Sequence, residues 1–198
     1  MVSAHPHAFP RAAGFQVTAA QLKQIDPSTA SCPPNLRDCV TADKAATFIS
    51  DSFTTYSITD AGVAAGIIAT IMIESDSFKY AHPAAAPVPG KGTRNMQAPE
   101  FNLKYFQSIP ALQSHAAEVG QDAEKALDVL TQYGDYDFGS AAWYLKDGGF
   151  CGPQVEQGLA AGGQAGWDAY VACIHANPDD GRLALWQKAT AALGVKAS

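Results

Sequence analysis

The sequence predicts an all-α domain, and three observations carry that prediction. Alanine is the commonest residue, with 37 in 198, and it costs least in a helix interior. Proline stands at the start of helix-like segments at Pro99, Pro110 and Pro153, where its missing N–H would have no helical partner anyway. No stretch of useful length shows the period-2 alternation of a half-buried strand. The length suits one domain of about 100–200 residues. The chain is 47% hydrophobic and only 16% charged, which argues against disorder. A net charge of −6 lacks the basic footprint of a nucleic-acid binder or of a protein docking on anionic membranes. No apolar run reaches the ~20 residues of a transmembrane helix.

Residues 1–40 are rich in Pro, Ser and Ala and read as an N-terminal arm with a short helix over 18–25. Residues 41–198 read as the helical domain. Thr41 suits an N-cap, Asp43 favours the first turn, and Ala45, Phe48, Ile49, Ser52 and Tyr56 share one face. Thr59 or Asp60 caps the next helix. Its body, 61–73, is apolar all round and therefore belongs in the core. At 1.5 Å per residue it spans only about 20 Å, too short for a bilayer. Four prolines and two glycines make 81–99 a long loop, with room for a small β-hairpin in 81–98. Helices are predicted at 99–109, 110–119, 122–133, 138–146, 153–161, 165–176 and 179–193.

The four cysteines, Cys32, Cys39, Cys151 and Cys173, form no CxxC zinc pattern. The local pairing Cys32–Cys39 and Cys151–Cys173 is the expected one of three. The first would close a proline-stiffened turn and the second would tie a helical hairpin. Such bridges imply an oxidising compartment, so the chain is expected to be secreted. Residues 1–6 lack the basic and apolar regions of a signal peptide, which suggests a mature form with an added initiator Met. The five histidines, His5, His7, His82, His115 and His175, are scattered. No metal or other cofactor is expected, and the chain is expected to be monomeric. There is no Gly-x-Ser-x-Gly elbow and no phosphate-cradling P-loop.

Glu74 is the most informative residue. It closes the apolar helix, where the partial negative charge of the helix end and desolvation by apolar neighbours both favour the protonated acid. A protonated carboxyl near neutral pH is what a glycosidase uses to protonate a leaving oxygen. Tyr80, Trp143 and Tyr144 are candidates to stack on sugar faces. Trp167 and Trp186, at helical spacing with Tyr170, Leu183 and Leu185, read as core.

The run Ile73-Glu74-Ser75-Asp76-Ser77-Phe78, the later Arg94-Asn95-Met96-Gln97, and the block Ser140-Ala141-Ala142-Trp143-Tyr144 with Gly148-Gly149 and Pro153-Gln154-Val155 follow in order. Together they resemble three blocks of glycoside hydrolase family 23, the soluble lytic transglycosylases and goose-type lysozymes. The likeness covers roughly 59–160, about half the chain. It implies a lysozyme-like helical fold with a saccharide cleft. Glu74 would be the general acid, Ser75 would support it by hydrogen bonding, and Gln97 would line the cleft. Trp143 or Tyr144 would take the place of the family's Tyr. Arg94-Asn95 replaces the family's Gly-Leu, and its Tyr-Asn-Ala-Gly is stretched here.

An inverting enzyme needs a second carboxylate about 6.5–9.5 Å from the acid. Glu100, Asp135, Asp137 and Asp147 are the candidates, with Asp135 and Asp137 favoured by the alternation of acids and aromatics over 133–138. Asp135 or Asp137 would otherwise serve as an N-cap. The expected function is that of a secreted muramidase or lytic transglycosylase acting on a polysaccharide partner, peptidoglycan foremost. The alternatives are a non-catalytic lysozyme-like glycan-binding or host-interaction protein, and a chitinase or chitosanase.

Overall fold

The computed structural model describes residues 13–196; the start of the expected arm, with His5 and His7, lies outside the described residues. The described residues are all-helical, as composition and periodicity predict. Helix α1 (Ala19–Ile25) opens on Thr18, whose hydroxyl accepts from the Gln21 amide while the Gln21 side chain accepts from the Thr18 amide. This reciprocal box satisfies two otherwise orphaned donors. A short 3-10 turn, Pro27–Ala30, follows. Helix α2 (Ala42–Thr55) turns Ala45, Ile49 and Phe53 inward.

Helix α3 (Ala61–Glu74) is the axis of the molecule. The Asp60 carboxylate caps it by accepting from the Gly62 and Val63 amides, and every residue from Gly62 to Met72 is buried. Its apolar circumference is met on different sides by α10 (Asp180–Leu193), α8 (Pro153–Ala160) and α7 (Gly134–Lys146). The approach of α8 depends on a missing side chain. A Cβ at Gly62 would sit 2.3 Å from the Leu159 carbonyl oxygen.

Helix α4 (Pro99–Ser108) leads into a 3-10 segment, Pro110–His115, and a single α-turn, α5 (Ala116–Val119). One helix over 110–119 is therefore corrected to two short pieces. Helix α6 (Ala123–Thr131) is capped by Asp122. Helix α7 begins at Gly134, four residues before the predicted 138, because Gly134 lies where a Cβ would strike the Phe48 ring at 2.3 Å. Asp135 and Asp137 thus sit inside its first turn, where negative charge suits the helix dipole, and neither is the N-cap. Helix α9 (Gln164–Cys173) crosses α8 at Gly158 and Gly166. Among the described residues the 81–98 loop has no paired strands. It holds one isolated bridge, Gly92 to Gln97, because its prolines and the positive φ angles at Thr93 and Met96 leave no regular run.

Two apolar clusters result. The larger surrounds α3 and contains Trp167 and Trp186, stacked with centroids 5.3 Å apart. The smaller joins α4, α6 and the end of α7 through Tyr105, Phe106, Leu130 and Trp143. Disulfides Cys32–Cys39 and Cys151–Cys173 are both formed. No described helix is long and apolar enough to cross a membrane.

Candidate functional site

The site is built where α3 ends. After Glu74 the chain turns sharply, with positive φ at three successive non-glycine residues, Asp76, Ser77 and Phe78. Each such residue costs of order 1–3 kcal/mol, so the surroundings must over-determine the turn. They do. The Ser75 hydroxyl donates to the Ile71 carbonyl at 2.6 Å and accepts from the Phe78 amide at 3.0 Å. The Ser77 hydroxyl donates to the Asp26 carboxylate. Phe78 is fully buried, and its carbonyl accepts from the Val40 amide and from Arg94 Nη1. Ser75 is therefore spent on the helix end and makes no bond to Glu74, contrary to its expected role.

Glu74 itself is only partly buried and pairs with the Arg182 guanidinium, from 108 residues further along. Arg182 sits in the first turn of α10, where the Asp179 carboxylate accepts from its amide at 2.8 Å. Its Nη1 has no hydrogen-bond partner among the described residues. The pair lies on a groove of about 390 Å³. Lys91, Asn95, Gln97, His175 and Asn177 supply polar lining; Met96, Phe101, Tyr144 and Ile174 supply the apolar part. The groove continues past Glu74, Lys91 and Met96 into a second hollow of about 380 Å³ that holds Tyr80 and His82.

The loop side of the groove is rigid. Gln97 Nε2 donates to Asn102 Oδ1 at 3.0 Å, and Asn102 Nδ2 donates to the Gly90 carbonyl at 2.8 Å. Behind it, Arg94 Nε donates to Asp137 at 2.7 Å in a pair whose side chains are 3% and 4% exposed. The Arg94 guanidinium also donates to the carbonyls of Phe78 and Asp38 and lies 5.0 Å from the Phe138 ring centroid. Burial pushes the Asp137 carboxyl up to about 6 even against the pull of Arg94.

The structure thus brings together Glu74, Tyr80, Gln97 and Tyr144 and separates the other candidates. Trp143 is buried and faces a different cavity, together with Asp135 and Asp147. The expected stacking role for Trp143 beside Glu74 is corrected accordingly: Trp143 and Tyr144 are neighbours in sequence and so leave the helix in different directions. Asp137 is committed to Arg94 and Glu100 is exposed on α4, so no candidate second carboxylate lines the Glu74 groove. Sequence reasoning missed Arg182, Lys91, Asn177 and Phe101. Asp179 at the helix N-cap locates α10, but nothing local marks Arg182 as the partner of Glu74.

No family model matches the chain, and no solved structure matches it. Among curated proteins, it is similar to a bifunctional dioxygenase–epoxy alcohol synthase of Fusarium oxysporum strain Fo5176, with 32% identity over 159 residues. The match takes in 77% of this chain and 12% of the relative, so the chain spans about an eighth of that protein's length. This finding overturns the expected glycan-cleaving function. The relative carries the name of an oxygenating enzyme, a different class from a glycosidase. The muramidase, lytic transglycosylase and chitinase readings are withdrawn with it, and so is the glycan-binding alternative.

Proposed function

We propose that this chain is a ligand-holding domain that serves oxygenating chemistry rather than carrying it out. In this reading the Glu74–Arg182 groove receives an organic molecule bearing hydroxyl or epoxide oxygens. The observation that carries the reading is the ion pair itself. Glu74 offers acceptor oxygens and Arg182 a guanidinium beside them, the pair part-buried on the groove wall. Phe101 and Tyr144, edge to face at 5.3 Å, form an apolar wall alongside. An epoxy alcohol has the matching parts: a hydroxyl that donates to a carboxylate, an epoxide oxygen that accepts from a guanidinium, and a hydrocarbon body that leaves water against the rings.

All four cysteines are engaged in disulfides, and no three His, Cys, Asp or Glu side chains gather as a metal set among the described residues. The two disulfides support an extracellular or otherwise oxidising location. The lysozyme-like arrangement stands as a proposal about architecture alone, supported by a buried central helix that delivers Glu74 to a groove edged by Gln97.

Calorimetric titration with epoxy alcohols of increasing chain length tests this function, with the corresponding diols and simple alcohols as comparison ligands. Saturable binding is expected, strongest for the epoxy alcohols. It should weaken about tenfold or more in Arg182→Gln, the ~1.5–3 kcal/mol of a lost charged hydrogen bond. Absence of binding across the series would overturn the proposal.

A further inference from the structure

A second cavity, of about 640 Å³, lies between α2, α4, the 3-10 segment and α7, apart from the Glu74 groove. Its walls are aromatic: Tyr56, Tyr105, Tyr136 and Trp143. Three carboxylates, Asp51, Asp135 and Asp147, line it, and among the described residues no lysine, arginine or histidine does. None of the three forms a salt bridge among the described residues. The Tyr105 ring is fully buried in the wall. Its Oη makes no hydrogen bond of normal geometry among the described residues, although the Tyr56 phenol lies beside it.

We propose that this cavity is a binding site for an organic ammonium cation. The chemistry is complementary in each part. Ring faces attract a cation through their quadrupole, by about 0.5–2 kcal/mol each depending on desolvation. Carboxylates without counter-ions supply the charge, and the cavity falls in the size range of small-ligand pockets, about 300–1,000 Å³. Burial and the neighbouring Asp51 charge both push Asp135 above its ordinary value, the direction expected for acids that face each other across a space without a cation. A bare divalent metal fits less well. Among the described residues no three carboxylate, histidine or cysteine side chains come close enough to hold one, whereas an alkylammonium ion spans a wider gap and uses the rings.

The site is tested by titrating the folded protein with spermidine and with a trimethylalkylammonium salt, using calorimetry and the Trp143 indole N–H resonance. Magnesium chloride at matched ionic strength is the control. Saturable binding with a shift confined to Trp143 among the three tryptophans is the expected result. Asp135→Asn and Tyr136→Ala should each weaken it about tenfold, while Arg182→Gln, at the other groove, should leave it unchanged. Preference for spermidine would mark a polyamine site, and preference for the quaternary salt an aromatic cage. Equal response to magnesium, or unchanged affinity in Asp135→Asn, would overturn the proposal.

Discussion

Two arginine–carboxylate pairs flank the end of α3, and they have opposite characters. Arg94–Asp137 is dry, with side chains 3% and 4% exposed, and Arg94 spends its remaining donors on backbone carbonyls. Arg182–Glu74 is 14% and 23% exposed, opens on a groove and leaves Nη1 unused. The same chemistry therefore does two jobs. Sealed from water, it pins the Phe78 turn, the loop before α4 and the start of α7 to one another. At the edge of water, on the wall of a groove, it is the proposed place for a ligand. In the sequence Arg94 stands as a departure from the family pattern and Asp137 as a candidate second carboxylate. They are partners in the structural pair.

The largest test of this contrast is Arg94→Met. It leaves Asp137 buried without a counter-charge, and should cost about 3–5 kcal/mol, read by chemical denaturation. A loss below about 1 kcal/mol would remove the pinning role. Next, opening Cys151–Cys173 by a double alanine substitution should cost about 3 kcal/mol, and opening Cys32–Cys39 less, because the first encloses the longer loop. If both losses are equal, loop length is not what sets the contribution of these bridges.

The pH dependence separates the pairs further. Asp137 has its folded value raised to about 6, above its ordinary 3.8. Between those values the folded chain holds a proton that the unfolded chain has released. Stability should therefore fall as pH rises from about 4 to 6, by up to about 3 kcal/mol from this group. Thermal unfolding across that range should show the decline in the wild type. Asp137→Asn, neutral at every pH, should flatten it. A slope unchanged by Asp137→Asn would assign the pH effect elsewhere. The smallest effect belongs to the open pair. Glu74→Gln should cost only about 1 kcal/mol of stability while weakening ligand binding in the groove. A large stability loss with binding intact would reverse the assignment of the two pairs.

Much of the fold was legible because its determinants are local. The α3 core helix announces itself by an apolar circumference, its cap, Thr59 or Asp60, by position ahead of that run, and Pro99 and Pro153 by the helices they open. The two short disulfides follow from cysteines already near in sequence. The misjudged boundaries have equally physical causes. Helix α7 starts ahead of the predicted 138, at Gly134, which packs against the Phe48 ring. The single proline of 110–119, Pro110, permits a 3-10 path as readily as an α one. The site was half legible. Glu74 and Gln97 stood out, but Trp143 and Asp137 were assigned to the wrong surroundings, because adjacent positions on one helix face different neighbours.

By itself the sequence determined an all-helical chain, its central helix, most of its caps and its covalent closures. These rest on backbone propensity, on periodicity and on contacts within a few residues. Only the tertiary structure decided which charges meet. Glu74 finds Arg182 across 108 positions and Arg94 finds Asp137 across 43. Whether either pair is sealed or open depends on water, which is excluded or admitted by the packing of helices distant in the chain.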